Sequence, residues 1–228
     1  NFNSIKHLQK NDHFKLINGN FSDLNKVNLE INDSTDVIIL GGLVGDPITK
    51  KYPKLNKITN IDGIKKCIDF FENEMVGKLI FISTCSNYGL INQDLKADEN
   101  FELKPLSLYA KAKVEIENFI LNKQNKKINY EPIILRFATA FGLSPRMRFD
   151  LTVNEFTFDL LHKKVLEVYD PNTWRPYCHV KDFSRIIRKV LKANKRYTSY
   201  EIFNVGSNKN NATKKQIINK INKILKLN

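Results

Sequence analysis

The chain has 228 residues, enough for one domain with an appendage around a substantial core. Its net charge of +13 is spread along the sequence among many asparagines and isoleucines, and no recognition motif focuses it, so no nucleic acid is expected as a partner. The longest apolar run, Val37 to Val44, is too short to span a bilayer. The three cysteines, Cys67, Cys85 and Cys178, have neither disulfide-framework nor zinc spacing, so no membrane and no metal are expected, and a reducing, cytoplasmic setting suits them.

Apolar periodicity predicts strands at His13 to Ile17, Asp36 to Leu40, Lys78 to Ser83 and Glu131 to Phe137, with a short one near Val165 to Tyr169. Helices are predicted at Asn56 to Asn73, Leu106 to Asn122, Leu151 to His162, Lys181 to Lys192 and Lys214 to Leu225. In the first of these, Ile61, Ile64, Ile68 and Phe71 recur at helical spacing, which is core packing. Strands alternating with helices imply an α/β fold with a parallel sheet of βαβ units.

Chemistry is concentrated in Tyr109-Ala110-Lys111-Ala112-Lys113. Residues four apart share a helical face. An ammonium held there favours a phenolate and pulls the tyrosine pKa below its ordinary value of about 10. The pair alone is weak evidence in a lysine-rich chain, where such spacing usually marks a solvated face. The cluster Ser83-Thr84-Cys85-Ser86-Asn87-Tyr88-Gly89, at the end of an apolar strand, places hydroxyl groups upstream of it.

With these residues in order, the chain resembles the extended short-chain dehydrogenase/reductase family, in its NAD-dependent sugar-nucleotide epimerase and dehydratase branch. The resemblance runs to about Gly206. Gly19-Asn20-Phe21-Ser22-Asp23 is similar to the family's Gly-Asp-x-x-Asp turn, and Asn60-Ile61-Asp62-Gly63 to its Asn-x-x-Gly. Gly41-Gly42-Leu43 follows the next strand as the family's cofactor loop does. Leu135-Arg136-Phe137-Ala138-Thr139 resembles the strand that closes over nicotinamide and sugar, and Trp174 to Asp182 resembles the Arg-x-Tyr-x-His-Val-x-Asp box.

The resemblance implies a Rossmann-like, doubly wound parallel sheet, with residues 1–142 binding the dinucleotide and residues 143–228 forming a small, partial substrate-binding region. It implies hydride transfer from a sugar carbon to NAD. Tyr109 is then the base, Lys113 its activator and ribose contact, and Thr84 the group that orients the sugar hydroxyl. Asn20, Phe21, Gly41, Gly42, Leu43, Asn60, Ser83 and Ala138 are implied with Tyr109 and Lys113 around NAD. Thr84, Thr139, Asn154 and Arg175 are implied around a nucleotide-diphosphate sugar. Asn20 stands where the family has an aspartate, so it brings no charge to the adenine side.

Open alternatives stay beside these assignments. Gly41 and Gly42 serve a close dinucleotide approach or merely a tight turn. Arg146 and Arg148 meet phosphate, or lie in a solvated loop paired with Asp150. His179 reads as a packing histidine. Cys85 and Ser86 replace the Asp-Glu pair of the family's 4,6-dehydratases, which disfavours dehydration and leaves epimerisation or oxidation at C4.

No Gly-x-x-Gly-x-x-Gly turn occurs in the sequence, and Asn1 aligns just after the strand that would follow such a turn. The expectation is therefore a fragment without its first strand-helix-strand unit. A homodimer pairing through the Tyr109 helix and the helix before it is implied for the complete enzyme. A non-catalytic binding or scaffold protein is the competing reading.

Overall fold

The structure is a computed structural model that describes residues 2–74, 76–91 and 95–226. In chain order the main elements are strand β1 (Val37–Ile39), helix α1 (Asp46–Lys51), helix α2 (Pro53–Asn56), a π-helical segment (Lys57–Gly63), helix α3 (Ile64–Glu72) and strand β2 (Lys78–Thr84). Helix α4 (Leu108–Leu121), β3 (Glu131–Phe137), β4 (Thr139–Phe141), α5 (Thr152–Leu161) and β5 (Trp174–His179) follow. Helix α6 (Val180–Lys192), β6 (Ile202–Val205), β7 (Asn211–Thr213) and α7 (Lys214–Leu225) end the chain.

The fold is α/β, as the sequence predicts. A Rossmann-like parallel sheet has the strand order β1-β2-β3-β6, with Val37 opposite Leu79 and Ile39 opposite Phe81. Strand β2 is buried at all seven positions, and β3 at its five central ones. Such unbroken apolar runs suit strands covered on both faces. Helix α3 buries Ile64, Cys67, Ile68 and Phe71 as one stripe, and these meet Leu79 and Phe81 of β2 in the core. Helix α4 starts where the Ser107 hydroxyl accepts the Ala110 N–H at 3.1 Å. It buries Ala110, Ala112, Ile116 and Ile120, small residues at its start and branched ones further on.

The chain divides into two compact units. One comprises Ile17–Arg136 with Arg188–Asn204 and holds most of the large sheet. Its Lys78 Nζ donates to the Val190 and Ala193 carbonyls, so a buried lysine satisfies the end of α6. The other comprises Asn1–Leu16, Phe137–Ile187 and Val205–Asn228. It holds a three-stranded sheet ordered β4-β5-β7, parallel between β4 and β5 and antiparallel between β5 and β7. Within it Phe137 and Phe183 stack at 3.9 Å, and a Thr213–Gln216 capping box opens α7.

Two predicted strands are not strands. His13 lies in a turn, and residues 14–17 carry no regular secondary structure and are largely exposed, with Leu16 at 45% and Ile17 at 38%. Residues 165–169 lack a partner: Leu166 and Val168 turn inward while Val165 and Tyr169 face solvent, an alternation without hydrogen-bonded neighbours. The helix predicted from Asn56 begins at Pro53 and contains a π segment where regular α-helix was expected, while the remaining predicted helices lie within two residues of their observed bounds. Helix α1 and strands β4, β5, β6 and β7 were not predicted.

Candidate active site

Thr84 ends β2 and is 8% exposed. Its Oγ1 accepts the Ser86 N–H at 3.2 Å and so caps a 3-10 turn, Cys85–Tyr88. That bond uses a lone pair and leaves the hydroxyl proton free to be donated elsewhere. Helix α4 packs against both β2 and this turn. It carries half-buried Tyr109 and fully enclosed Lys113 one turn apart.

Lys113 Nζ donates to the Ile82 carbonyl of β2 at 2.7 Å and lies 4.6 Å from the centre of the Phe81 ring and 5.8 Å from that of Tyr109. Burial pushes its pKa down to about 8, with the Glu117 charge opposing that fall. The lysine is thereby anchored against the sheet with its ammonium beside the tyrosine ring.

Beneath these residues lies a buried polar network. The Glu117 carboxylate accepts from Ser83 Oγ at 2.5 Å, Asn87 Nδ2 at 2.8 Å and Arg136 Nη2 at 2.7 Å. Arg136 also donates to the Tyr88 hydroxyl at 2.9 Å and the Glu99 carbonyl at 3.1 Å. Tyr88 in turn donates to Asn204, whose own N–H donates to Glu99. Burial works against the Arg136 charge, but the Glu117 bonds outweigh it and hold the guanidinium above its usual range. Glu117, Asn87 and Tyr88 were not picked out as site residues. The signal was present: an arginine inside a fully apolar strand requires a buried partner, and Glu117 stands one turn beyond Lys113.

At the end of β1, Asn60 holds the loop by both backbone groups of Leu43: its Nδ2 donates to the carbonyl at 2.8 Å and its Oδ1 accepts the N–H at 2.7 Å. Gly42 has φ +131°, and a Cβ there would sit 2.5 Å from Asn60 Oδ1, so glycine is required. A Cβ on Gly41 would meet only the Phe21 ring, at an ordinary 3.7 Å. The Asn20 side chain is engaged locally, accepting from the Ser22 N–H and hydroxyl. Ser83 is likewise engaged, with Glu117.

The remaining candidates lie in the other unit. Ala138 N–H donates to the Val205 carbonyl at 3.0 Å. Thr139 is half-buried in β4 and Arg175 is exposed on β5. Asn154 accepts the Gly142 N–H at 3.1 Å and donates to the Arg148 carbonyl at 3.0 Å, so it shapes the loop between them. Arg148 grips Asp150 with two bonds, at 2.8 and 2.6 Å, which holds that carboxyl below its usual range. His179 Nδ1 accepts the Lys181 N–H, and its ring stands edge-on to Phe141, a packing role.

A tyrosine and a lysine one turn apart on one helix, a threonine at a parallel strand's end and a glycine loop after the neighbouring strand lie in a Rossmann-like sheet. A family model described as the NAD dependent epimerase/dehydratase family matches residues 1–206, and the chain belongs to that family. It is similar to "Protein CapI" of Staphylococcus aureus, with 26% identity over 83% of this chain and 60% of that protein. It is similar also to a UDP-glucuronate 4-epimerase of Thermodesulfobacterium geofontis, with 25% identity over 97% of this chain and 67% of that protein. The chain spans 60 to 67% of the length of these curated relatives. Among solved structures it shares its fold with UDP-glucuronic acid 4-epimerase from Bacillus cereus in complex with UDP-glucuronic acid and NAD, with TM-score 0.81, 24% identity, 98% of this chain and 69% of that one. The dTDP-glucose 4,6-dehydratase from Bacillus anthracis in complex with NAD superposes with TM-score 0.79, at 19% identity over 99% of this chain and 68% of that one.

Proposed function

We propose that the protein oxidises C4 of a nucleoside-diphosphate sugar and returns hydride to the opposite face, an epimerisation within nucleotide-sugar or surface-polysaccharide metabolism. The observation that carries this reading is the anchored Lys113 beside Tyr109 on α4, packed against the strand that ends in Thr84. NAD, when bound, supplies the hydride acceptor. Tyr109 takes the proton of the C4 hydroxyl and gives it back in the reverse half-reaction. The Lys113 ammonium lowers the cost of the phenolate and donates to the nicotinamide ribose, and Thr84 donates its free hydroxyl proton toward the same sugar oxygen.

The enclosed Lys113 ammonium and the side-chain-free Gly41 at the end of β1 support a dinucleotide at the strand ends. Gly41 to Leu43, Asn60, Phe21, Asn20, Ser83 and Ala138 complete the cofactor side. For Ser83 and Asn60 the contribution is the placement of backbone, because their side chains are occupied by Glu117 and Leu43. Thr139, Asn154 and Arg175 take the substrate, with the planar Arg175 guanidinium suited to a diphosphate. Residues 1–142 then serve the cofactor and 143–228 the sugar nucleotide. Cys85 and Ser86 lack the acid and base that elimination of water needs, which favours epimerisation over dehydration. Leu106 just before α4 and Leu108 at its start, with Leu55 on α2 and Ile58 in the π segment, are the exposed apolar side chains through which two copies pair in this reading.

The test is NAD binding by calorimetry, on these 228 residues and on the product of the whole reading frame, followed by turnover of UDP-glucuronic acid and UDP-glucose. Tyr109→Phe should lower turnover by about 10³-fold with an unchanged melting temperature. No NAD binding by either form would sink the oxidoreductase reading and leave a non-catalytic binding protein.

A further inference from the structure

Glu117 is the most enclosed charged side chain of the network, at 1% side-chain exposure, and its paired Arg136 is at 3%. A buried carboxylate needs donors for the lone pairs that its counter-charge leaves free, and the donors it takes decide which parts of the chain it ties together. Here the carboxylate has two further ligands, and both flank Thr84: Ser83 immediately before it and Asn87 in the turn after it. Glu117 also stands one helical turn from Lys113, whose Nζ is bound to the carbonyl of Ile82, two residues before Thr84. Successive turns of α4 are thus stitched to successive residues at the end of β2.

We propose that Glu117 is the positioning residue of the catalytic site, its carboxylate fixing the Thr84 end of β2 to the helix face that bears Tyr109 and Lys113. The proposal deepens the epimerase reading and rests on it. The carboxylate has an electrostatic role as well. Around Lys113, its own helix contributes Tyr109 and Glu117; β2 contributes the Ile82 carbonyl and the Phe81 ring; β3 contributes Arg136, whose charge Glu117 compensates. Glu117 is therefore the negative charge that opposes the effect of burial on the lysine. Without it the ammonium beside Tyr109 would be lost at a lower pH.

The experiment compares Glu117→Gln with the double variant Glu117→Leu, Arg136→Met in the protein made from its full reading frame. The double variant removes both charges together and leaves no buried charge unpaired, so it keeps the fold. Lys113 is titrated by ¹³C NMR of its Cε in each protein, without cofactor or substrate. Turnover of UDP-glucuronic acid with NAD is measured alongside thermal melting. The expected result is Lys113 titrating at a lower pH in Glu117→Gln, which removes the carboxylate charge alone, and a double variant that melts within a few degrees of wild type but loses about tenfold or more in kcat at little-changed KM. A well-folded double variant with kcat unmoved, together with an unmoved Lys113 titration in Glu117→Gln, would overturn the proposal. Absence of turnover in the wild type itself would instead sink the epimerase reading, and Lys113 titration would still decide the role of Glu117.

Discussion

Arg136 and Arg148 each grip a carboxylate, but Arg136 and Glu117 are 3% and 1% exposed in the unit of Tyr109, whereas Arg148 and Asp150 are 35% and 65% exposed in the unit of Arg175. The first pair is surrounded by further donors and acceptors, and the second closes a surface loop. The Arg136–Glu117 charges are buried together and cannot be removed piecemeal. The Arg148–Asp150 charges in the second unit remain available to solvent.

The contrast is broken most directly at Arg136. Changing it to Met leaves the Glu117 carboxylate buried without a counter-charge, and should cost about 3–5 kcal/mol in urea denaturation. A loss below about 1 kcal/mol would mean the carboxylate finds water or a proton. Next comes Lys113, whose folded-state pKa is lowered to about 8 from 10.5. Between those values the unfolded chain binds more protons than the folded one, so this group makes stability rise with pH across that window. Wild type should therefore gain roughly 3 kcal/mol on Lys113→Met as pH rises through it, for a shift of that size. Burial pushes Cys67 up to about 11, but that thiol titrates in both proteins and cancels in the comparison. A difference that stays flat with pH would place the Nζ in solvent. Last is Arg148→Ala, which should change stability by less than about 0.5 kcal/mol. A larger loss would make the 142–150 loop as dependent on its charges as the buried network is.

Much of the first unit was legible because its signals are local. The runs Lys78 to Thr84 and Glu131 to Phe137 are apolar enough to demand burial, and the stripe Ile64, Ile68, Phe71 sets a helix. The family motifs supplied the order of the candidate residues. Residues 13–17 and 165–169 misled because a strand needs a partner, which alternation alone does not provide. Strand β5 was missed for the opposite reason: Pro176 cannot donate to a ladder and argues against a strand. The structure accommodates it by pairing Trp174–Pro176 with β7 and Tyr177–His179 with β4, so the two halves of β5 are each joined to a different neighbour. Glu117 was passed over since an i, i+4 charge on a lysine-rich helix reads as solvated until Arg136 is seen across from it.

The π segment Lys57–Gly63 has one more implication. A π turn takes up one residue more than an α turn. It lies between Asn56 and the Ile64–Ile68–Phe71 stripe, with Asn60 inside it reaching Leu43. Deleting a single residue there would let the segment wind as ordinary α-helix with the Ile64–Ile68–Phe71 stripe still facing the core, because the wide turn is what absorbs the extra residue, but it would disturb the turn from which Asn60 reaches Leu43. Variation in this stretch is therefore constrained at Asn60 and in the wide turn that presents it, whereas an exposed residue such as Lys57 can be exchanged.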